Sequence, residues 1–252
     1  MLTMKWLTQE CQAIFQKGFQ KLLISLGQCD LCGNNLHEIN LTTQSLICPS
    51  CLDDLPLFKQ DFIQGDLLNW PAINRALPMH QFDHLFCLSP YLPPFTQWIP
   101  QLKYQGRFEL ASLFAYLLYR QLQSNNFPQD LMPVNLVLSV PLHIHKWKIR
   151  GYNQAHILAK PLAKKLQLPY DESLLIRTTN NPSQVGQTGN QRRQNLANAF
   201  SLTKALPKSI KHVMLVDDVL TTGSTVNEVS KLLKHAGVSK VTVTTICLTL
   251  PT

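Results

Sequence analysis

Two neighbouring acids, Asp217 and Asp218, stand just before a run of small polar residues in this 252-residue chain. The run places hydroxyl side chains around one glycine: Thr221, Thr222, Gly223, Ser224 and Thr225. Such a turn directs backbone N–H groups and hydroxyls at one point, and a following helix adds its positive dipole end, so an anionic phosphate is favoured. The carboxylates are better suited to neutral hydroxyls, such as those of a ribose, or to a metal ion. The segment therefore predicts a sugar-phosphate site.

The residues around this motif predict a strand before it and a helix after it. Residues 213–216 are apolar, as in a strand buried on both faces, and residues 226–235 carry apolar side chains at helical spacing. Gly223 would let the backbone approach the phosphate closely. Two other phosphate motifs, G-x-x-x-x-G-K-[ST] and G-x-G-x-x-G, are excluded because the spacing of this segment fits neither. One acid would suffice to cap a helix, so capping does not explain the pair.

A cationic loop with Lys146, Lys148 and Arg150 follows a second predicted strand at 134–140. Loops at the carboxyl ends of parallel strands bind ligands in open α/β sheets, and these cations could neutralise a pyrophosphate. Lysine-rich turns are often simply solvated, so both interpretations stay open. His143 and His145 would share one face of a strand, but with no third ligand nearby a metal pair is not expected.

Other polar segments offer weaker signals. Lys103 and Arg107 flank Gly106, where a solvated helix end and a ligand contact are equally compatible with the sequence. Residues 177–195 are polar, contain two glycines and a proline, and include Arg193 but no acid. Long loops of this kind are either disordered or cover a site. Arg193 is therefore a candidate for pyrophosphate binding or for a lid that excludes water from a reactive sugar cation.

Four cysteines, Cys29, Cys32, Cys48 and Cys51, form the pattern C-x2-C-x15-C-x2-C. Two such pairs typically enclose one tetrahedral zinc ion, and a shell of four thiolates leaves no open position for catalysis. Disulfides are disfavoured without a secretion signal, and redox-active pairs lack the surrounding βαβ pattern. His37 lies nearby and could replace a thiolate. The remaining cysteines, at positions 11, 87 and 247, have apolar neighbours and are expected in the core.

Composition sets broader limits on the protein class. The chain is 45% hydrophobic, enough for one substantial domain and a small accessory module. A formal net charge of +8 favours polyanionic partners without distinguishing a phosphorylated ligand from nucleic acid. No apolar run approaches the ~20 residues that span a bilayer, and charges at Glu10 and Lys17 interrupt any signal-peptide core. The expected location is the cytoplasm.

The pattern of the chain divides it into four parts: an amphipathic helix over 1–28, a zinc-binding module over 29–56, a linker over 57–80 and an α/β domain over 81–252. Within the last part we predict a strand at 82–91, a helix at 98–122 with a break near Gly106, a helix at 151–166 and a final strand at 240–248.

The motif VMLVDDVLTTGSTVNE resembles the phosphoribosyl-pyrophosphate (PRPP) loop of type I phosphoribosyltransferases. The chain is also similar to the ComF/GntX family over about residues 29–248. The residues that carry this similarity are the same motif, the cysteine pairs, Lys103-Tyr104, PLHIHKWKIRGYNQA, and the segment with Arg177, Gln184, Arg193, Asn195 and Ala199-Phe200. Several members of that family are implicated in natural competence for DNA uptake or utilisation. The chain departs from the family in two places, with fewer arginines before Arg150 and no threonine shortly before Gln184.

This resemblance implies a type I phosphoribosyltransferase-like, Rossmann-like and mostly parallel sheet flanked by helices, preceded by a small zinc-ribbon-like module and an amino-terminal helix. It also implies that Asp217 and Asp218 bind ribose hydroxyls, that residues 221–225 bind the 5′-phosphate, and that Lys146, Arg150 and Arg193 serve the pyrophosphate or the lid. Mg²⁺ would be held mainly by ligand oxygens.

Two hypotheses of function follow. The first is a Mg²⁺-assisted phosphoribosyltransferase or PRPP-binding protein whose acceptor and general base the sequence does not name. The second is a non-catalytic adaptor that binds single-stranded DNA or competence proteins through its zinc module and basic surface.

Overall fold

The computed structural model describes residues 27–36, 46–59, 64–77, 80–123, 133–178 and 199–249. The chain divides into two compact units, Met1–Leu55 and Pro56–Thr252. The helix predicted over 1–28 lies almost wholly outside the described residues, as do His37, Cys11 and Arg193. Within the described ranges, no helix has the length and apolar character needed to cross a membrane.

The described part of the first unit is a pair of short loops and one helical turn. Gln28 bridges antiparallel to Asn35, and Gly33 adopts the left-handed conformation (φ +75°) in the turn between them. The short helix α1, Pro49–Asp53, follows Cys48 and has its proline in the first turn, where the missing N–H costs nothing. These turns bring both cysteine pairs to one place.

The second unit is built on a parallel sheet of four strands: β1 His84–Pro90, β2 Leu136–Ser139, β5 His212–Leu220 and β6 Lys240–Leu248. Their order is β1-β6-β5-β2, and every neighbouring pair is parallel. A separate antiparallel hairpin joins β3, Leu175–Arg177, to β4, Phe200–Leu202. The expected mostly parallel sheet is confirmed, and β6 has the bounds predicted for the last strand.

The helices alternate with these strands. They are α2 Pro71–Ala76, α3 Phe95–Tyr104, α4 Glu109–Leu122, α5 Ile144–Arg150, α6 Gln154–Leu166 and α7 Ser224–His235. The predicted break near Gly106 is confirmed, because this glycine has φ +68° between α3 and α4. The expectation that His143 and His145 share a strand face is wrong. His143 caps α5, since its Nδ1 accepts a hydrogen bond from the backbone N–H of His145.

Both faces of the sheet are buried, as the apolar runs of its strands require. On one face, strand residues that include Val213, Leu215 and Val241 pack in one cluster with Val226, Val229 and Leu233 of α7. The alternate residues of the strands, such as Phe86 and Met214, point to the opposite face and are also buried. Helices α4 and α6 pack against each other there and contact the strands.

The segment predicted as a linker over 57–80 has more structure than one helical turn. A 3₁₀ turn at Leu67–Asn69 is followed directly by α2, and Asp66 caps the turn by accepting from the N–H of Leu68. Leu67 and Ile73 are fully buried, and Leu77 nearly so, in the same cluster as α7. This segment is therefore part of the core of the second unit.

Candidate functional site

A cavity of about 450 Å³ lies at the carboxyl edge of the parallel sheet. Residues directly after each strand line it: Tyr91 after β1, residues 140–143 after β2, Thr221 after β5 and Thr249 after β6. The carboxyl ends of parallel strands meet at one edge, which is where open α/β sheets bind ligands. The fold thus explains why residues far apart in the sequence converge here.

The cavity collects most of the residues that the sequence singled out. Asp217, Asp218, Thr221, Thr225, Lys146 and Arg150 all line it. Thr222, Gly223 and Ser224 belong to the same turn between β5 and α7 without lining the cavity, and Lys148 does not line it either. Arg193 lies outside the described residues.

The acidic pair lies within β5, two residues before its carboxyl end, because the strand runs four residues further than the predicted 213–216. Asp217 Oδ1 accepts from the backbone N–H of Asp218, and Asp218 Oδ1 accepts from that of Val219, each at 2.9 Å. The Nζ of Lys103 lies 2.6 Å from Asp218 Oδ2, and both side chains of this ion pair are mostly buried. Burial, and then the neighbouring charge of Asp218, raises the pKa of the Asp217 carboxyl well above its usual range. Asp218 is therefore a carboxylate paired with a cation, whereas the carboxyl of Asp217 takes up a proton more readily.

The phosphate-sized turn is shaped by Gly223, which stands at the amino end of α7 with φ +70°. A Cβ atom on this residue would lie 3.2 Å from Cδ2 of the buried Leu77, so a side chain would be strained by the backbone conformation and crowded by Leu77. Thr222 and Ser224 place their hydroxyl oxygens 3.0 Å apart beside it. The result is a hydroxyl-lined turn at the amino-terminal end of a twelve-residue helix, an arrangement that favours an anion.

The cations after β2 are carried by helix α5 and not by the loop that the sequence predicted. Arg150 Nη2 donates to the hydroxyl of Tyr104 at 2.8 Å, and its guanidinium lies 4.7 Å from the centroid of that ring. Partial desolvation at the cavity wall, and then the charges of Arg150 and Lys103, lowers the pKa of Lys146. The mutual repulsion of these cations would be relieved by an anionic ligand in the cavity.

The other polar residues that line the cavity include Lys103, Gln154 and Arg177. Sequence reasoning left Lys103 undecided, named Arg177 only within the family segment and did not single out Gln154. The signals for Lys103 were its place beside a glycine in a short cationic stretch and the Lys103-Tyr104 pair within the family resemblance. Its partner Asp218 is far away in the sequence, so only the folded chain shows the pair.

The four cysteines of the first unit form a compact cluster whose Sγ atoms all lie within 4.8 Å of one another. The Sγ atoms of Cys32 and Cys48 are 3.7 Å apart, and the backbone N–H of Cys48 donates to Cys29 Sγ at 3.3 Å. This cluster could hold a metal ion. Cys87 and Cys247 are buried in β1 and β6, as expected of core residues.

Comparison with known proteins first defines the class. Residues 153–250 match the family model described as a phosphoribosyl transferase domain. The match includes β5, the acidic pair and α7, and the sheet has the parallel, helix-flanked architecture expected of the type I phosphoribosyltransferase fold. Among solved structures, adenine phosphoribosyltransferase from Leishmania tarentolae is similar to 59% of this chain and 74% of its own, with a TM-score of 0.36 and 13% identity.

Curated relatives then define the family. Competence protein F of Haemophilus influenzae is 33% identical over 223 residues, which cover 86% of this chain and 94% of that protein. The DNA utilization protein YhgH of Escherichia coli O157:H7 is 33% identical over 89% of this chain and 91% of its own. The chain belongs to the ComF family.

Proposed function

We propose that the cavity binds a ribose 5-phosphate whose anomeric carbon carries pyrophosphate, namely PRPP, together with Mg²⁺. The observation that carries this proposal is the meeting of an acidic pair, a phosphate turn and several cations at one edge of a parallel sheet. Asp217 and Asp218 would take the ribose hydroxyls. Thr221, Thr222, Gly223, Ser224 and Thr225 would hold the 5′-phosphate with the amino-terminal end of α7.

The charges of the lining residues support a strongly anionic ligand. Among the residues that the structure describes, four cations, Lys103, Lys146, Arg150 and Arg177, line the cavity, against two acids. Lys103 is already neutralised by Asp218. The cations of α5 are left for the pyrophosphate, where a guanidinium can form two parallel hydrogen bonds.

Mg²⁺ fits this site as an ion held mainly by ligand oxygens. The oxygens of the acidic pair already accept two backbone N–H groups and face Lys103, so they have little free capacity to form a complete metal shell. Magnesium usually binds through one or two carboxylates plus substrate phosphates. When bound, the ion would neutralise charge on the pyrophosphate.

The reaction that suits this arrangement is transfer of the phosphoribosyl group to a nitrogen nucleophile. The nitrogen lone pair attacks the anomeric carbon, the bond from that carbon to oxygen breaks, and its electron pair leaves with pyrophosphate. The nitrogen then loses a proton. The residues of the chain would contribute by fixing the ribose and by stabilising the departing negative charge through Lys146 and Arg150.

We propose zinc for the cysteine cluster, in a structural role. Four thiolates at 2.3 Å from a tetrahedral ion stand about 3.8 Å apart, close to the 3.7 Å between the Sγ atoms of Cys32 and Cys48. The N–H of Cys48, which donates to Cys29 Sγ, would stabilise a thiolate ligand. Metal analysis of the purified protein should give one zinc per chain, and Cys51→Ser should lose it.

The biological setting that we propose is natural competence or DNA utilisation in the cytoplasm. The names of the relatives from Haemophilus influenzae and Escherichia coli support it, since one is a competence protein and the other a DNA utilization protein. A ligand-binding cavity in such a protein would couple the handling of DNA to a nucleotide precursor.

Isothermal titration calorimetry with PRPP and Mg²⁺ tests the donor site. We expect binding by the wild-type chain and a loss of at least tenfold in affinity for Asp217→Asn, which replaces one carboxylate oxygen by an NH₂ donor, and for Thr225→Val, which removes a hydroxyl. Lys148→Gln serves as the control, because this lysine has the same charge as Lys146 but lies outside the cavity. Absence of PRPP binding by the folded wild type would refute the proposal.

A second candidate function is binding of single-stranded DNA, and helix α5 is the observation that favours it. None of its residues is buried, and Trp147 and Ile149 are 50% and 80% exposed beside Lys148. Bases of single strands stack on exposed aromatic rings next to cations. Trp147→Ala should then weaken binding of an oligothymidine, whereas Trp70→Ala, which removes a comparably exposed tryptophan, should not.

A further inference from the structure

Arg177 is a half-buried cation with no carboxylate partner in the part of the chain that the structure describes. It ends β3 and lines the cavity, its guanidinium lies 5.3 Å from the centroid of the Phe200 ring, and its buried Nε has no hydrogen-bond partner. The stretch that follows, residues 178–198, contains no aspartate or glutamate. Because a buried charge is costly unless it is paired, an anion entering the cavity is the partner that this side chain requires.

Gln154, at the amino-terminal end of α6, has a buried acceptor that lacks a donor, whereas Arg177 has a buried donor that lacks an acceptor. Its side chain is 3% exposed and lines the cavity, and its Oε1 has no hydrogen-bond partner among the described residues. A buried amide oxygen without a partner is unfavourable, so it calls for an N–H or O–H donor. Asn153 and Ala155 line the cavity beside it, so the first turn of a thirteen-residue helix faces the ligand space. Its dipole favours negative charge there.

These two residues are separate from the groups proposed to hold PRPP. The 5′-phosphate turn belongs to α7, and the pyrophosphate cations belong to α5. Lys146 lies in the electrostatic neighbourhood of Arg150, Lys103 and Asp218, which all affect its pKa, whereas the pKa of Arg177 is lowered by burial alone. One cavity therefore contains further polar residues, on β3 and α6, to which no part of the proposed donor has been assigned.

We propose that Arg177, Gln154 and the first turn of α6 form the acceptor subsite, and that the acceptor is a small molecule carrying a carboxylate or similar anionic group beside an N–H donor. The anionic group pairs with the guanidinium, and the N–H donates to Gln154 Oε1. This inference rests on the proposed function, because it assumes that PRPP occupies the rest of the cavity. It names the class of acceptor that the family resemblance leaves open.

Matched acid and amide probes test the subsite in the full-length protein. Anthranilate and 4-aminobenzoate are compared with their amides, in the presence of Mg²⁺ and of ribose 5-phosphate, which fills the donor clamp without reacting. Fluorescence titration should show at least one acid binding about 10- to 100-fold more tightly than its amide, as a charge-assisted pair predicts. Arg177→Gln should remove that preference and leave the affinity for ribose 5-phosphate unchanged.

The matched control is Arg150→Gln, the same substitution at the other arginine of the cavity. It should weaken binding of inorganic pyrophosphate and preserve the preference for the acid. Gln154→Leu gives a second, independent readout, because it should weaken the acid and the amide alike by removing the acceptor for their shared N–H. Should Arg177→Gln fail to fold, Arg177→Lys, which keeps the charge but not the planar fork, should show part of the loss.

The outcomes separate the two proposals. If ribose 5-phosphate does not bind to the wild type, the proposed function fails. If it binds but neither acid is preferred over its amide, only the acceptor subsite is refuted. If Arg177→Gln weakens pyrophosphate binding and leaves the preference for the acid intact, Arg177 serves the donor and the inference is overturned.

Discussion

The ion pair between Lys103 and Asp218 allows a quantitative test of how burial governs electrostatics at this site. At 2.6 Å, the attraction of two unit charges in an effective dielectric of about 20 amounts to about 6 kcal/mol before desolvation is subtracted. The chain contains a matched control in Lys234 and Asp83, which are 2.7 Å apart. In each pair, one carboxylate oxygen also accepts a backbone N–H. Distance and hydrogen bonding therefore predict equal coupling.

Burial is what distinguishes the two pairs. The side chains of Lys103 and Asp218 are 19% and 12% exposed, against 31% and 30% for Lys234 and Asp83. Solvent screens Lys234 and Asp83, the outer pair, more strongly, so we expect their coupling free energy to be below about 1 kcal/mol. For Lys103 and Asp218, the inner pair, we expect about 2–3 kcal/mol, because removing one partner leaves a buried charge unpaired.

Two double-mutant cycles measure these coupling energies by urea denaturation. One combines Lys103→Met with Asp218→Asn, and the other combines Lys234→Met with Asp83→Asn. Raising the salt concentration should reduce the outer coupling more than the inner one. Equal coupling in both cycles, or an inner coupling below about 0.5 kcal/mol, would refute the assignment of burial as the deciding factor.

Three further outcomes are expected. Asp217→Asn should raise the denaturation midpoint at pH 7. The pKa of the Asp217 carboxyl is raised in the folded state, so its contribution to stability is present below the unfolded-state pKa and is lost as pH rises through the folded-state pKa. The stability gained by Asp217→Asn should therefore vanish near pH 4. Asp171 has the opposite sign, since the hydrogen bond from Lys204 lowers its pKa to about 2. Asp171→Asn should cost about 1 kcal/mol at pH 7 after allowance for the exposed lysine, and the difference should disappear as pH falls from about 4 to about 2. Gly223→Ala should lower the free energy of unfolding by more than the ~1–2 kcal/mol expected for a left-handed backbone, and it should weaken ribose 5-phosphate binding. Gly237→Ala is the control, because Gly237 has φ +92° and no neighbour within 4 Å, so its substitution should show the backbone cost alone.

Local patterns predicted the elements whose signal is contained in one stretch of chain. The alternation of β-branched and apolar residues fixed β6 at both ends, and the glycine at position 106 marked the break between α3 and α4. The hydroxyl turn could be placed between a strand and a helix because strand, turn and helix follow one another directly, whereas the acidic pair, predicted after the strand, lies within β5.

Pairings between distant segments could not be predicted in this way. Lys103 reaches Asp218 only because α3 and the end of β5 meet at the cavity, and no local pattern encodes that approach. The strand order β1-β6-β5-β2 also depends on tertiary packing. The hairpin of β3 and β4 was not predicted as a pair, since three-residue strands are too short to show alternation.

The helical turns over residues 67–76 were predicted as linker for a related reason. Prolines interrupt the segment and each apolar cluster is short, so no helical period develops over a full window. Tertiary packing stabilises these turns instead, because Leu67 and Ile73 are buried in the core with residues of the strands and of α7.

The contact between Leu77 and Gly223 has a practical consequence for dissecting this protein. A fragment beginning at residue 81, where the sequence places the start of the α/β domain, would contain every strand of the sheet and the whole phosphate motif. It would nevertheless lack Leu77, whose Cδ2 lies 3.2 Å from the position that a Cβ atom on Gly223 would occupy. The smallest autonomous piece should therefore begin before Asp66, and shorter fragments should retain their secondary structure while their phosphate turn loses its fixed shape.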